Sequence, residues 1–255
     1  MAPEPPYTRA NRENWNTTSR SYQASHHREL EGDVLWGPSM PPESELKVLG
    51  ASVAGKDVLE IACGGGQSAA YLAERGARVT AIDFSGEQLD HARAFARLKT
   101  VEVRFIESNV EDLSLLGDAS FDLAFSAYAL GFVEDVQRAF REIGRVLRPG
   151  GLFAFSWMSP MYAITEEGGL GITKSYFDRS PLIDTDEYGT EVDFHRTYGD
   201  WHQALTDAGF VVTDILEPEP LPKDSTYADM FPLAKIRMIP GTTIWRARRP
   251  RRLEL

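Results

Sequence analysis

A glycine-rich turn between two acidic residues carries the clearest chemical signal in this sequence. Residues 58–67 read VLEIACGGGQ, an apolar run that includes Glu60 and breaks into three glycines at 64–66. Glycine has no Cβ and reaches backbone angles that other residues avoid, so such a turn lets the backbone approach a ligand closely. Asp83 ends the next apolar run, 23 residues after Glu60, a separation suited to binding ribose hydroxyls. The stretch predicts a site for an adenosine-containing cofactor.

The glycine turn by itself does not identify the cofactor. Gly64-x-Gly66-x-x-Ala69 also satisfies the loose pattern of NAD-binding proteins. A tight strand-to-helix turn without any ligand is a third interpretation, although Asp83 would then occupy its position by chance. An adenosyl cofactor, a dinucleotide and no ligand therefore all stay open at this point.

These residues can form one site only if a sheet brings together the ends of the strands that carry them. Short apolar runs predict strands at 56–62, 77–83, 101–107, 120–126 and 151–158, and helices are predicted at 67–75, 86–98 and 135–147. Strands that alternate with helices indicate an α/β fold with a mostly parallel sheet covered on both faces. Ligands bind such sheets at the carboxyl ends of the strands. The residues that lie at such ends are Glu60, Asp83, Asn109 and Ser126.

The composition fits one acidic globular domain. The 255 residues are 42% hydrophobic and carry a net charge of −11. Negative charge argues against nucleic acid or an anionic membrane as a partner, because phosphate is attracted by positive potential. No stretch approaches the ~20 apolar residues of a membrane span, and a single cysteine, Cys63, forms no intramolecular disulfide. We therefore expect a soluble, cytoplasmic protein. The C-terminal arginines at 246, 248, 249, 251 and 252 are either a solvated tail or a local anion-binding arm.

The N-terminal segment predicts a helix with an aromatic face. Residues 1–10 contain three prolines and are expected to be disordered. From residue 11 to residue 30, helical periodicity places Trp15, Tyr22 and His26 on one face. This face either packs on the main domain or forms a lid over a cofactor and its substrate. Aromatic faces stabilise a nearby cation by ~0.5–2 kcal/mol when water is excluded.

The sequence pattern becomes irregular after residue 158. Residues 174–177 and 191–196 are expected to be extended, a helix is expected at about 200–208, and strands are expected at 210–215 and 242–246. Residues 217–238 contain four prolines and are too long for a plain connection, which predicts a cover. We expect a helical lid at 1–50 and one domain at 51–255, whose insertions at about 159–200 and 217–238 cover the substrate.

Five motifs in order make the chain resemble a known enzyme family. They are Glu60-x-Ala62-x-Gly64-x-Gly66, Asp83, Asn109-Val110, Phe121-Asp122-x-x-x-Ser126 and Leu147-Arg148-Pro149-Gly150-Gly151. Together they resemble the class I S-adenosylmethionine-dependent methyltransferases, and the small-molecule branch of the ubiquinone/menaquinone-biosynthesis type is the closest in pattern. An NAD-binding domain would not be expected to bring the last two motifs.

This resemblance covers residues 55–158 and extends to about 248 through motifs that look like a bacterial subgroup of such enzymes. Those motifs are Tyr176-Phe177-Asp178, Phe194-His195-Arg196-Thr197-x-x-Asp200-Trp201 and Ile239-Pro240-Gly241-Thr242. The resemblance implies a Rossmann-like, doubly wound, mostly parallel sheet of seven strands, with an antiparallel C-terminal strand and an N-terminal helical lid.

The resemblance also implies which residues hold the adenosine part of S-adenosylmethionine. Asp83 would accept hydrogen bonds from both ribose hydroxyls, and Phe84 would stack on the adenine. Asn109 would meet the adenine amino group, with the backbone N–H of Val110 at the ring. Asn109 stands where the family commonly has Asp, but its amide oxygen still accepts a hydrogen bond.

The other half of the cofactor is assigned by the same resemblance. The backbone of Gly64 and Gly66 would lie along the methionine moiety, with Glu60 orienting the turn and Ala62 replacing the usual first glycine. Ser126 and Tyr128 would lie near the transferable methyl. The predicted cofactor-binding set is completed by Tyr22, Gln67 and Gln88.

Methyl transfer is an in-line displacement, so alignment and exclusion of water supply most of the catalysis. A general base is needed only if the acceptor must lose a proton. His26 and His195 are the candidate bases, and Tyr128 and Tyr22 are possible orienting hydroxyls. No cluster of side chains has metal-ligand spacing, so no metal is expected.

The predicted activity is methyl transfer to an O, N or C atom of a small organic molecule, in the setting of secondary metabolism. Two alternatives differ in kind: a module that binds S-adenosylmethionine without transfer, and an NAD-dependent oxidoreductase. The acceptor and the oligomeric state are left open.

Overall fold

The computed structural model describes residues 4–223 and 225–251. Its helices are α1 (Pro6–Leu30), α2 (Glu43–Leu46), α3 (Gln67–Glu74), α4 (Gly86–Lys99), α5 (Val136–Val146), α6 (Tyr198–Asp207) and α7 (Leu233–Ile236), with short 3₁₀ turns at Leu130–Phe132 and Tyr162–Ile164. Its strands are β1 (Asp57–Ile61), β2 (Arg78–Asp83), β3 (Val103–Glu107), β4 (Phe121–Ala127), β5 (Leu147–Met158), β6 (Leu182–Thr185), β7 (Thr190–Asp193), β8 (Val211–Leu216) and β9 (Thr242–Arg248).

Seven of these strands form one sheet in the order β3-β2-β1-β4-β5-β9-β8. Strands β1 to β5 pair in parallel, whereas β9 pairs antiparallel with both β5 and β8. The predicted doubly wound α/β fold with an antiparallel C-terminal strand is confirmed. The strand order reverses between β1 and β4, and the carboxyl ends of strands at such a switch point form the usual ligand crevice of this architecture.

The central strands of the sheet are buried on both faces, which explains why they are apolar runs in the sequence. Successive residues of a strand point to opposite faces. Leu59 therefore packs with Phe140 and Trp201 on one face, while its neighbour Val58 packs with Trp36 on the other. The central strands are fixed from both sides, so their tips present side chains at defined positions.

Helix α1 is longer than the sequence predicts, because it begins at Pro6. Proline is well suited to the first helical position, where its missing N–H is not needed. The expected disorder of residues 1–10 is therefore wrong for residues 6–10, and residues 1–3 lie outside the described chain. The fully buried Asn11 attaches α1 to β7: its Nδ2 donates to the carbonyl of Val192 (2.9 Å) and its Oδ1 accepts from the N–H of Val192 (2.7 Å).

Strands β6 and β7 form an antiparallel hairpin that pairs Leu182 with Asp193 and Thr185 with Thr190. Strand β7 overlaps the stretch predicted to be extended at 191–196, but β6 is not predicted and residues 174–177 form a turn instead of a strand. All four side chains of β6 are exposed, so this strand has no alternation of buried and exposed residues.

The C-terminal arginines that the structure describes make local contacts. Arg246 pairs with Asp214 at 2.9 Å, and Arg248 donates to the carbonyl of Gly150 at 3.1 Å. Arg252 lies outside the described residues. None of the helices that the structure describes combines the length and the apolar character required to span a bilayer.

Candidate active site

A cavity of about 610 Å³ lies at the carboxyl ends of β1, β2 and β4. We call it the strand-tip cavity. Its other walls come from α1, from the β6–β7 hairpin and from residues 226–231. The predicted site residues that line it are Tyr22, His26, Glu60, Ala62, Gly64, Gln67, Asp83, Phe84, Gln88, Asn109, Val110 and Tyr128. Gly66, Ser126 and His195 do not line it.

Asp83 lies at the tip of β2 with only 5% of its surface exposed. Its two carboxylate oxygens accept the backbone N–H groups of Gly64 and Ser85, both at 2.9 Å. Burial raises the pKa of Asp83 to about 6, against the opposing effect of these hydrogen bonds. Each oxygen keeps a further lone pair, so the carboxylate can also accept from two hydroxyl groups.

The glycine turn adopts backbone angles that favour glycine at two of its positions. Gly64 and Gly66 have φ of 50° and 74°, in the left-handed region. A Cβ on Gly66 would lie 2.7 Å from the Cβ of Ala92, so this glycine allows α3 and α4 to pack closely. Gly66 therefore shapes the turn from outside the cavity, while Gly64 lines it.

Glu60 is a buried acid at the floor of the cavity, with 4% of its surface exposed. Burial, reinforced by the nearby charge of Asp83, raises the pKa of Glu60 well above its usual range. Its Oε2 has no hydrogen-bond partner among the described residues. A buried polar atom without a partner is costly, so this oxygen is available to a donor that enters the cavity.

Gln23 of α1 was not predicted to belong to the site. Its side chain donates to Oε1 of Gln88 (2.9 Å) and accepts from Nε2 of Gln67 (2.6 Å). It lies directly over the glycine turn, because a Cβ on Gly65 would come within 2.5 Å of its Oε1. Gln23 is hidden from sequence reasoning because its role depends on how α1 packs across the sheet.

Residues at the tip of β3 and after β2 form the end of the cavity beyond Asp83. Phe84, Asn109 and Val110 line this end. The amide oxygen of Asn109 accepts the backbone N–H of Glu111 at 3.1 Å, which fixes the loop after β3. The amide nitrogen of Asn109 is not used in this bond, so the side chain offers a donor as well as an acceptor.

Tyr128 follows β4 with φ of 58°, a left-handed conformation that is strained for a tyrosine. Gly37 packs against it: a Cβ on Gly37 would lie 3.0 Å from the Tyr128 ring. Tyr128 lines the cavity, and its ring centroid lies 5.1 Å from that of Trp157. Ser126, two residues earlier, is fully buried and does not reach the cavity.

Aromatic rings line the cavity between Tyr128 and α1. Trp15 contacts Tyr22 and Phe132, with ring centroids 5.1 and 5.8 Å apart, and Phe132 contacts Trp157 at 4.9 Å. We call these four residues and Tyr128 the aromatic wall. Trp15 and Tyr22 were predicted from helical spacing, whereas Phe132 and Trp157 were missed because nothing in the sequence separates them from core residues.

His26 is held between two tyrosines and a threonine. Its ring stacks on Tyr227 at 4.2 Å between centroids, and its Nδ1 lies 2.8 Å from Oγ1 of Thr226. The Thr226 hydroxyl donates its single hydrogen to Glu29 at 2.5 Å, so it accepts from Nδ1–H of His26. The other ring nitrogen, Nε2, then carries a free lone pair. Burial lowers the pKa of His26, against the charge of Glu29, which favours this neutral form.

His195 lies outside the cavity, with 5% of its surface exposed. Its Nε2 lies 3.0 Å from the carbonyl oxygen of Tyr176, and its ring packs edge-on against the Tyr176 ring. This is the arrangement of a hydrogen-bonded packing residue, so the geometry favours His26 over His195 as the candidate base. No group of His, Cys, Asp and Glu side chains in the described part of the chain could hold a metal ion.

Comparison with known proteins supports the interpretation of this geometry. Residues 59–155 match a family model described as a methyltransferase domain. An uncharacterized methyltransferase of Bacillus subtilis, YbaJ, is 30% identical over 180 residues, which cover 65% of this chain and 69% of that protein. A ubiquinone biosynthesis O-methyltransferase of Rickettsia conorii is 28% identical over 46% of this chain, and the match spans 40% of that enzyme.

Solved structures show the same similarity. The structure of a putative S-adenosylmethionine dependent methyltransferase from Listeria monocytogenes is similar to this chain with a TM-score of 0.66 and 25% sequence identity. The match covers 81% of this chain and 97% of the Listeria chain.

Proposed function

Because this chain belongs to the S-adenosylmethionine-dependent methyltransferases, we propose that it methylates an O, N or C atom of a small organic molecule held in the strand-tip cavity. The observation that carries this proposal is the position of the aromatic wall. The aromatic wall lines the same cavity as the glycine turn and Asp83, and α1 and residues 226–231 enclose the space beside it. A cavity of this volume is in the range of small-molecule sites.

The residues at the strand tips fit S-adenosylmethionine. Asp83 has lone pairs for the ribose hydroxyls, and Phe84, Asn109 and Val110 surround the place of the adenine. The unpartnered Oε2 of Glu60 suits the amino group of the methionine moiety. When bound, the cofactor supplies a methyl group on a positively charged sulfur. The chain's own contribution is to fix that group, align the acceptor and exclude water.

The N-terminal helix and the two irregular stretches would act as the cover of the site. Residues 1–50 are proposed as the lid segment of a domain spanning 51–255, with insertions at about 159–200 and 217–238. Glu29 links the lid to the second insertion, because it accepts hydrogen bonds from Ser225 Oγ (2.5 Å) and from the Thr226 N–H (2.6 Å). Tyr22 and Tyr227 add a hydroxyl–hydroxyl contact at 2.6 Å.

For an acceptor that must lose a proton, His26 is the proposed general base. Burial acts to raise the pKa of Glu29, but hydrogen bonds from Ser225 and Thr226 outweigh it and lower the pKa. Glu29 therefore stays ionised and holds the Thr226 hydroxyl as an acceptor for Nδ1–H of His26. This chain of hydrogen bonds leaves Nε2 of His26 unprotonated, and His26 lines the cavity. Tyr128, on the aromatic wall, is the proposed orienting hydroxyl.

Label transfer tests the proposed acceptor class. The protein is incubated with S-adenosylmethionine labelled in its methyl group and a cell extract, and the products are separated into small molecules, protein and nucleic acid. We expect the label in small molecules other than S-adenosylmethionine itself, and its loss from them when Asp83→Ala replaces the wild type. Label in protein or nucleic acid, dependent on Asp83, would contradict the small-molecule assignment.

A further inference from the structure

The end of the strand-tip cavity formed by the β6–β7 hairpin is acidic. Asp184, Glu191 and Asp193 line it, whereas no Lys or Arg whose side chain the structure describes lines the cavity. Two of the other lining acids already have partners: Asp83 accepts two backbone N–H groups, and Glu29 accepts from the segment after β8. The hairpin acids therefore bring to this end of the cavity a negative charge that no described lining cation balances.

The fold places these acids together. Asn11 bonds both backbone groups of Val192 and so fixes β7 against α1. Side chains alternate along a strand, and Glu191 and Asp193, on either side of the buried Val192, both line the cavity. The register also sets Asp184 directly opposite Glu191. Like charges opposite each other destabilise a strand pair, so a cation at this face would stabilise the hairpin.

Asp193 provides an independent sign of a missing partner. Its Oδ1 is buried and has no hydrogen-bond partner among the described residues. Lys174 and Arg196 act on this carboxyl through their charges, but neither supplies a hydrogen bond to Oδ1. Arg196 instead donates to the carbonyls of Val133 (2.5 Å) and Glu134 (3.1 Å). A buried carboxylate oxygen without a partner is costly unless a ligand satisfies it.

The surroundings favour an organic cation over a metal ion. The acids of the hairpin are not arranged as a metal site, since no such group is found among residues 4–223 and 225–251. They share the cavity with aromatic rings instead. Burial is the main reason that the pKa values of Tyr128 and Tyr22 are raised, and the charges of Asp193 and Glu191, respectively, add to it. Aromatic faces beside carboxylates suit an ammonium group, which both can contact.

From this geometry we infer that the methyl acceptor carries a protonated amine, whose ammonium group is bound by Asp193 and Glu191 while its apolar part lies against the aromatic wall. An ammonium group would donate to Oδ1 of Asp193 and reduce the repulsion between Asp184 and Glu191. The inference rests on the proposed function, because it names the substrate class of the same cavity. The hairpin is then the specificity element of the enzyme.

Paired fragments test the inference. Phenethylamine and 2-phenylethanol have the same shape and differ in the cationic group, so calorimetry on the S-adenosylhomocysteine-bound protein isolates the effect of charge. We expect the amine to bind at least about tenfold more tightly than the alcohol. Asp193→Asn should reduce this preference to about threefold or less, as should Glu191→Gln. The matched control is Glu187→Gln, an exposed acid of the same hairpin that does not line the cavity.

The affinity for S-adenosylhomocysteine separates the possible failures. It should be the same in wild type and in all three variants, and melting curves establish that each variant is folded. If the cofactor product binds but the alcohol binds as tightly as the amine, or neither fragment binds, the inference is overturned while the proposed function stands. If the cofactor product itself does not bind, the proposed function fails and the inference falls with it.

Discussion

Replacing Asp83 with alanine separates cofactor binding from folding. The change removes the acceptor of two ribose hydroxyls, and a hydrogen bond to a charged acceptor contributes ~1.5–3 kcal/mol. Two such bonds correspond to ~3–6 kcal/mol, or a loss of roughly 10²- to 10⁴-fold in affinity. We therefore expect Asp83→Ala to bind S-adenosylhomocysteine at least 100-fold more weakly, as measured by titration calorimetry.

The effect of the same change on stability should be much smaller. Alanine leaves the N–H groups of Gly64 and Ser85 without their acceptor, at ~1–3 kcal/mol each. It also removes a buried carboxylate. Burial raises the pKa of this group from 3.8 to about 6, which corresponds to a cost of ~3 kcal/mol for its charged form. These effects oppose each other, so the free energy of unfolding should fall by no more than ~3 kcal/mol.

The matched control for this experiment is Asp90→Ala, which removes an exposed acid of α4 that does not line the cavity. It should leave the affinity for S-adenosylhomocysteine unchanged. An Asp83→Ala protein that is folded and binds within threefold of wild type would refute the assignment of Asp83 to the ribose.

Two further predictions concern titrating groups. Burial raises the pKa of Glu191 to about 7, and that of Asp193 and Asp83 to about 6. A carboxyl with a raised pKa in the folded state loses its stabilising contribution as pH rises through that pKa. Thermal melting of the ligand-free protein should therefore occur at lower temperature at pH 8 than at pH 6.5. Glu191→Gln should make the melting temperature less dependent on pH. The same pH dependence in this variant and in the wild type would contradict the burial of Glu191. For an acceptor that loses a proton, His26→Gln should lower kcat by ~10²-fold or more. The control is His27→Gln, which changes the exposed neighbouring histidine. Equal rates in the two variants would exclude His26 as the base.

The central half of the molecule is predictable from sequence because local and global signals agree there. The apolar runs before Glu60 and Asp83 are strands buried on both faces, and the turn at residues 64–66 has no alternative to a strand–helix junction. The resemblance to the methyltransferase family added the seven-stranded sheet with an antiparallel C-terminal strand. The resulting prediction of the fold and of the cofactor type is confirmed.

The acceptor end is not predictable in the same way, because its residues meet only in three dimensions. Gln23 and Glu29 read as ordinary polar positions of an amphipathic helix, and their partners lie far along the chain. Glu191 and Asp193 look like solvated acids in the sequence, and their position at the cavity depends on the hydrogen bonds that attach Val192 to Asn11 of α1. His195 and His26 are both candidate bases in the sequence, and only the structure separates them, because His195 lies outside the cavity and its Nε2 is 3.0 Å from the carbonyl oxygen of Tyr176.

A crystal structure of the complex with S-adenosylhomocysteine most directly tests the assignment of the cofactor site. We expect the nucleoside in the strand-tip cavity, with both ribose hydroxyls within 3.2 Å of the Asp83 carboxylate, a normal hydrogen-bond distance. We also expect the sulfur to face the aromatic wall. A nucleoside bound elsewhere, or ribose hydroxyls out of reach of Asp83, would contradict the assignment.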